Sequence, residues 1–180
     1  MSQFDNDIQR RLTRLEDIQK IKDLKSKYAQ FLDNGYDPDG IAGLFAEGGK
    51  WIIENKEITG KDAVKEQCRK LIKAQPWSFH NITPYDIHID ADGDHARGNF
   101  YVIALLTIRN KNGEDGAYIL PGVFNDEFVK KGDQWFFSKV EAFIKQSAPW
   151  TEGWVRGGFS KGFFDLDKLL LFSCRLFLKK

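Results

Sequence analysis

Residues 80–109 read HNITPYDIHIDADGDHARGNFYVIALLTIR. Two long strand-like segments, His80 to Asp90 and Ala96 to Arg109, flank a short polar segment with the composition of a turn. Two further strand-like segments follow, Ala117 to Lys130 and Gln134 to Gln146, again separated by Gly, Asn, Asp and Lys. Strands that follow one another through such turns form an antiparallel meander, which the sequence therefore predicts for its second half.

The first half of the chain has helical periodicity instead. Between Gln9 and Leu32 apolar residues recur at three- and four-residue steps, and Asn34-Gly35 provides a typical helix end. Asp37-Pro38 predicts the start of a short second helix, which we expect to end near Gly48-Gly49. A small hairpin and a third helix, beginning at Gly60-Lys61-Asp62, come before the meander. Helices first and strands second indicate an α+β fold in which a curved sheet wraps the helices.

Length and composition favour one domain. The chain has 180 residues, of which 42% are hydrophobic, enough for one well-buried core. We assign residues 1–147 to this domain. The pattern breaks after Pro149 into aromatic and Gly-rich sequence, so we interpret residues 148–180 as a tail that acts as a lid or an intersubunit arm.

The charge balance and the targeting signals limit the classes of binding partner and the location that we expect. Twenty-seven Lys and Arg against 26 Asp and Glu leave a net charge of +1, which predicts neither nucleic-acid nor membrane binding. The N-terminus does not resemble a signal peptide and no apolar run approaches about 20 residues, so we expect a cytoplasmic location. Cys68 and Cys174 lie in unlike contexts, which favours reduced, buried thiols.

Three side chains are candidates for chemistry. Tyr28 and Asp33 lie near the end of the first helix, and His80 begins the first long strand in an aromatic setting. An Asp bonded to one imidazole nitrogen would make the other nitrogen a better base. The alternative is a structural His80 and an ordinary helix-end Asp33. Tyr28, on the apolar stripe, is either a core aromatic or a hydrogen-bond donor to substrate, and the five residues from Tyr28 to Asp33 rotate by about 140° on a helix.

Five aromatic residues are candidates for lining an apolar pocket, although each could equally be part of the core. They are Trp51, Trp77, Phe100, Phe124 and Phe143. The other two histidines, His88 and His95, are predicted to face solvent. Three dispersed histidines without a second-ligand pattern predict no metal site.

Several phrases resemble the SnoaL-like members of the nuclear transport factor two-like superfamily. They are residues 21–29 (IKDLKSKYA), 44–51 (LFAEGGKW), 58–64 (ITGKDAV), 123–128 (VFNDEF) and 132–139 (GDQWFFSK). The resemblance extends from about Arg10 to Gln146. It implies a cone-shaped α+β barrel with a curved antiparallel sheet around the N-terminal helices and an enclosed apolar pocket.

Within that superfamily, the Asp and His positions are similar to those of scytalone dehydratase, bile-acid 7α-dehydratase and hexachlorocyclohexane dehydrochlorinase. The resemblance implies that His80 is a proton-abstracting base, that Asp33 orients it, and that Tyr28 matches a tyrosine of the bile-acid dehydratase. The chain departs from these relatives at Ala104, where the bile-acid dehydratase has an Asp, and at Val140, where the dehydrochlorinase has an Arg. Neither specific activity is therefore implied.

The resemblance implies a cofactor-independent lyase of dehydratase type, or an isomerase, acting on a small cyclic or polycyclic apolar substrate. The alternative is a non-catalytic ligand-binding protein or the small structural subunit of a ring-hydroxylating oxygenase. Superfamily enzymes are often oligomers, which implies a homo-oligomer here, with a trimer favoured over a dimer.

Overall fold

A computed structural model describes residues 3–156 of the chain. Within this range it contains four helices and seven strands. The helices are α1 (Gln3–Asp33), α2 (Pro38–Gly43), α3 (Lys61–Ala74) and α4 (Gly153–Arg156). The strands are β1 (Phe45–Ile53), β2 (Lys56–Thr59), β3 (Trp77–Ile89), β4 (His95–Arg109), β5 (Asp115–Lys131), β6 (Gln134–Ile144) and β7 (Ala148–Pro149).

Helix α1 carries a buried stripe only along its C-terminal half. Ile21, Leu24, Tyr28 and Leu32 are buried at three- and four-residue steps, as the periodicity predicts. The helix begins six residues earlier than predicted, and the apolar residues of this extra part and of the turns that follow it are exposed. It ends where predicted, because Gly35 adopts the left-handed conformation, with φ of 79°.

The turn after α1 starts α2 through a side-chain cap. The Asp37 carboxylate accepts hydrogen bonds from the backbone N–H groups of Asp39 and Gly40, at 3.1 and 3.0 Å. Pro38, which lacks an N–H, occupies the first turn of the helix.

The glycines at 48 and 49 lie inside β1 rather than at the end of α2. Gly48 has a φ of 73°, and the pairing register of β1 shifts between Phe45 and Lys50. A Cβ atom on Gly49 would lie 2.9 Å from the backbone oxygen of Phe137. The two glycines therefore permit a bulge in β1 and its close approach to β6. Here glycine serves strand geometry and does not end a helix.

The sheet is curved, open and mixed, in the order β2-β1-β6-β5-β4-β3. The α+β class and the meander of β3 to β6 are confirmed. One pairing differs from the expected antiparallel sheet, since β1 runs parallel to β6. Between these two strands the chain passes through β2, α3 and β3 to β5, so they meet without a hairpin connection.

The inner face of the sheet packs against α1 and α3 and forms the core. Register assigns the faces, because directly paired residues point to the same side. His80 pairs with Ala104, and Ala104 pairs with Leu120, on the inner face. Phe79 pairs with Leu105 on the outer face.

The first part of the predicted tail adds to the sheet. In β7, Ala148 and Pro149 pair with Ile119 and Tyr118 of β5, and α4 follows. Residues 157–180, with Cys174 and most of the predicted lid or arm, lie outside the described residues, so the boundary at residue 147 stays a prediction. Within residues 3–156, no helix has both the length and the apolar character that crossing a membrane requires.

Candidate active site

A mainly apolar cavity lies between the end of α1 and the inner face of the sheet. About 450 Å³ of empty space lies inside the cavity and its mouth, of which about 40 Å³ can take the centre of a water molecule. Two of the lining residues, Ala104 and Ala142, are small, and their methyl groups leave this space open. The complete lining is Tyr28, Leu32, Tyr36, Trp51, Ile53, Leu71, His80, Val102, Ala104, Leu106, Leu120, Phe124, Ala142 and Ile144.

Asp33 and His80 are joined by two hydrogen bonds. Asp33 Oδ1 lies 2.7 Å from His80 Nδ1, and Oδ2 accepts the backbone N–H of His80 at 3.0 Å. An ionised carboxylate can only accept, so the ring donates from Nδ1, and in the neutral imidazole Nε2 then carries no proton. Nε2 has no hydrogen-bond partner among residues 3–156. This geometry suits a base whose lone pair is available to the cavity.

The local structure holds this pair at the rim of the cavity. Asp33 is the last residue of α1, and His80 is an inner-face residue of β3, a strand that packs against α1. The His80 side chain is 11% exposed and that of Asp33 is 24% exposed. Ser78 reinforces the contact, since its hydroxyl donates to the Leu32 carbonyl at 3.0 Å and lies 3.4 Å from Asp33 Oδ1.

Tyr28 lies deeper in the same cavity and is 1% exposed. Burial, followed by the negative charge of Asp126, raises the pKa of its phenol well above the ordinary value, so the group remains a proton-bearing donor. Helix α1 stays regular up to Asp33. Tyr28 and Asp33 therefore lie on different faces of the helix, and the curved sheet contacts both faces.

Tyr36 is a cavity residue that the sequence analysis did not identify. It follows Gly35 in the left-handed region, with φ of 57°, and its buried hydroxyl donates to Gln75 Oε1. Burial raises the pKa of Tyr36 above the ordinary value. An aromatic residue in a turn three positions after a candidate Asp was the available signal.

A buried ion pair beneath the cavity was also not predicted. Lys25 Nζ lies 2.6 Å from Asp126 Oδ2, and both side chains are almost fully buried. Burial lowers the pKa of Lys25 and raises that of Asp126, although each opposes the shift of the other. The sequence positions of the two residues could have indicated burial. Lys25 lies on the apolar stripe of α1, and Asp126 has the same strand parity as the inward Phe124 and Phe128.

The five predicted aromatic lining residues divide between three places. Trp51 and Phe124 line the cavity. Phe100 is buried in the core, where its ring packs at an angle against Phe128, and it does not line the cavity. Trp77 and Phe143 lie on the outer face and are 54% and 39% exposed. The cause is strand parity, since their inward neighbours are Ser78, Ala142 and Ile144.

The remaining histidines lie outside the cavity. His88 is exposed, and His95 is exposed and pairs with Asp92 at 2.7 Å across a turn. Within residues 3–156, no group of three or more His, Cys, Asp or Glu side chains has an arrangement that could hold a metal ion. Cys68 is buried in α3, where burial raises its pKa to about 12.

Comparison with known families identifies the fold and its relatives. The family model that describes the SnoaL-like domain matches residues 13–141 of the sequence. The chain belongs to the SnoaL-like domain family. No protein of curated function matches its sequence.

Solved structures of this SnoaL-like chain's neighbours have similar backbones. A candidate scytalone dehydratase from Novosphingobium aromaticivorans is 25% identical, with a TM-score of 0.66, covering 83% of this chain and 96% of the other. The hexachlorocyclohexane dehydrochlorinase LinA type 2 is 19% identical, with a TM-score of 0.69 and coverage of 77% and 91%. A candidate aromatic ring hydroxylase, also from N. aromaticivorans, is 20% identical, with a TM-score of 0.65 and coverage of 75% and 94%.

The departures from these relatives can now be located. Ala104 is the direct cross-strand partner of His80. A carboxylate at this position would face the imidazole, and this chain has a methyl group instead. Val140 is fully buried in β6, so no charged side chain enters the site from there.

Proposed function

We propose that this SnoaL-like protein is a cofactor-independent lyase or isomerase in which His80 abstracts a proton from a carbon acid. The observation that carries the proposal is the Asp33–His80 pair at the rim of an apolar cavity, in which Nε2 of the ring has no hydrogen-bond partner in the described part of the chain. Asp33 would orient the ring and stabilise the imidazolium that forms. Tyr28 would polarise an oxygen of the substrate.

The proposed chemistry balances with these groups alone. In both reactions Nε2 takes a proton from carbon; in an elimination a C=C bond then forms as the bond to the leaving group breaks, and in an isomerisation the electron pair shifts the position of a double bond. In a dehydration the imidazolium returns its proton to the departing hydroxyl, which leaves as water. In an isomerisation the proton returns to a different carbon of the same molecule.

The small interior supports a compact substrate. The lining residues enclose little internal space, so the proposed substrate has a compact reacting ring, with any larger part at the mouth. The walls are mainly aliphatic and aromatic, so an apolar ring would be desolvated at little cost.

Proton abstraction can be tested before the natural substrate is known. We expect the wild-type protein to accelerate the exchange of α-protons of single-ring ketones for deuterium in D₂O, measured by NMR. Replacing His80→Ala should slow this exchange by about 10²- to 10⁴-fold, because a positioned general base typically contributes that factor. Asp33→Asn should also slow it while leaving the ketone bound.

The matched control is His95→Ala. His95 also pairs with an Asp at 2.7 Å but lies on the surface, so this variant should exchange at the wild-type rate. Exchange that persists in His80→Ala would contradict the proposal. Binding without exchange by the wild type would support the ligand-carrier or oxygenase-subunit alternative.

A further inference from the structure

The indole N–H of Trp51 is buried and has no hydrogen-bond partner among residues 3–156. Trp51 is 2% exposed and lines the cavity. The other buried tryptophan in the described residues, Trp135, donates its N–H to Asp17 at 2.9 Å. Burying an N–H that forms no bond is unfavourable, so an unpaired donor on a cavity wall points to a group that arrives with the ligand.

Tyr28 lies next to this donor. The two rings meet edge to face at 82°, with centres 6.2 Å apart. Burial raises the pKa of the Tyr28 phenol most, and the nearby indole N–H lowers it slightly. The two groups nevertheless do not form a hydrogen bond of normal geometry. The two donors therefore belong to adjoining side chains on the wall of one cavity.

The position of the pair relative to His80 follows from the sheet. Trp51 belongs to β1 and His80 to β3, and three strands separate them in the sheet order. Both nevertheless line one cavity, because the sheet curves and brings its distant strands towards the same space on the inner face. A ring between them would have its reacting C–H at one side and an oxygen at the other.

We propose that Trp51, together with Tyr28, binds an acceptor oxygen of the ligand and so selects ring substrates that carry a carbonyl. An indole N–H can only donate, so a hydrocarbon or a purely halogenated ring leaves it unpaired. In the reaction, these donors would stabilise the negative charge that develops on the oxygen when His80 removes the proton. This inference rests on the proposed function for its catalytic part and on binding alone for its selective part.

The binding test compares 2-cyclohexenone with its carbon isostere 3-methylidenecyclohexene, in NMR titrations of the full-length protein. We expect the wild type to bind the ketone more tightly and Trp51→Phe to lose about three- to tenfold of this preference, which corresponds to one hydrogen bond. Trp77→Phe is the matched control, because it makes the same replacement on the outer face. Tyr28→Phe removes only a hydroxyl and serves as a second variant if Trp51→Phe does not fold.

A spectroscopic measurement separates hydrogen bonding from packing. The ¹³C resonance of carbonyl-labelled 2-cyclohexenone should move downfield on binding to the wild type and to Trp77→Phe, and should move less in Trp51→Phe. Equal wild-type affinity for the two probes, including no measurable binding of the ketone, would overturn the inference. An unchanged preference in a folded Trp51→Phe variant would also overturn it, and if that variant does not fold, an unchanged preference in Tyr28→Phe would do the same.

The two proposals fail in different ways. If the wild type prefers the ketone through Trp51 but catalyses no deuterium exchange, acceptor recognition stands and the proposed activity falls. If His80 drives exchange and Trp51→Phe exchanges at the wild-type rate with an unchanged preference, the activity stands and the role of Trp51 is wrong.

Discussion

Lys25 is an unusual residue for the position it occupies, because its ammonium group lies among aromatic rings. Its Nζ lies 3.5 Å from the centre of the Phe124 ring and 4.6 Å from that of Tyr28. Asp126 balances the charge and also accepts the backbone N–H of Glu141 at 3.3 Å. Since Tyr28 and Phe124 both line the cavity, this ion pair supports the cavity from below.

Removing one charge of this pair should cost more than removing both. We expect Asp126→Leu to lower the free energy of unfolding by about 3–5 kcal/mol, because Lys25 is then buried without a counter-charge. The double variant Lys25→Met/Asp126→Leu should regain most of this loss. Urea unfolding of the wild type, both single variants and the double variant closes the cycle.

The surface pair of Lys20 and Asp133 provides the comparison for this cycle. Asp133 is largely exposed, so Asp133→Leu should change stability far less than Asp126→Leu does. A loss that small in Asp126→Leu would show that water or a neighbouring group compensates Lys25, contrary to our expectation.

The sequence predicted the Asp33–His80 pair only through resemblance, and the structure shows why spacing alone was insufficient. The two residues are 47 positions apart, and only the packing of α1 on β3 joins them. Trp77 and Phe143 were assigned to the pocket as aromatic residues, whereas strand parity turns the smaller Ser78 and Ala142 inward instead. Lys25 and Asp126 were missed because composition rules place charges on the surface.

The turn between α1 and α2 links a helix end to the site. Gly35 separates Asp33, which holds His80, from Tyr36, which enters the cavity. Both Gly35 and Tyr36 have positive φ. The helix ends themselves were predictable from Asn34-Gly35 and Asp37-Pro38, whereas the left-handed conformation of Tyr36 follows from burial of its ring and has no local signal.

Gly35 should resist substitution for conformational reasons alone. A Cβ at this position would meet nothing within 4 Å, but the φ of 79° is unfavourable for any other residue. We expect Gly35→Ala to lower the free energy of unfolding by about 1 kcal/mol, measured by urea unfolding. It should also slow deuterium exchange, because strain in the turn is shared by Asp33 and Tyr36.

Gly43 is the matched control for this substitution. It ends α2 without a positive φ, and a Cβ there also meets nothing within 4 Å. Gly43→Ala should therefore leave stability unchanged or raise it by a few tenths of a kcal/mol. Equal effects of the two substitutions would mean that the turn does not require glycine.

The outer face of the sheet bears on the oligomeric state of the protein. Trp77, Phe79, Tyr101, Ile103 and Phe143, which we call the outer patch, are each at least 39% exposed. Register puts them on one side, because Phe79 pairs with Leu105, Tyr101 with Val123, and Val123 with Phe143. Contiguous apolar surface of this kind is typical of interaction sites, and we expect a second copy of the chain to cover it.

We expect the wild type to be an oligomer, with a trimer favoured, and the double variant Tyr101→Lys/Ile103→Lys to be a monomer at the same concentration. Lysines at the centre of the patch would be desolvated and would repel those of the facing copy, at a cost of several kcal/mol. Size-exclusion chromatography with light scattering measures the mass, and circular dichroism shows that the fold is kept. Ile72→Lys, an exposed apolar position on α3, should leave the oligomer intact.

A second apolar surface makes this prediction discriminating. Leu12 and Leu15 are exposed on the N-terminal half of α1, so Leu12→Lys/Leu15→Lys charges the competing site. If that variant dissociates the protein and the outer-patch variant does not, the copies associate through the helix. A monomeric wild type would rule out self-association and leave the outer patch to a different partner, as the oxygenase-subunit alternative requires.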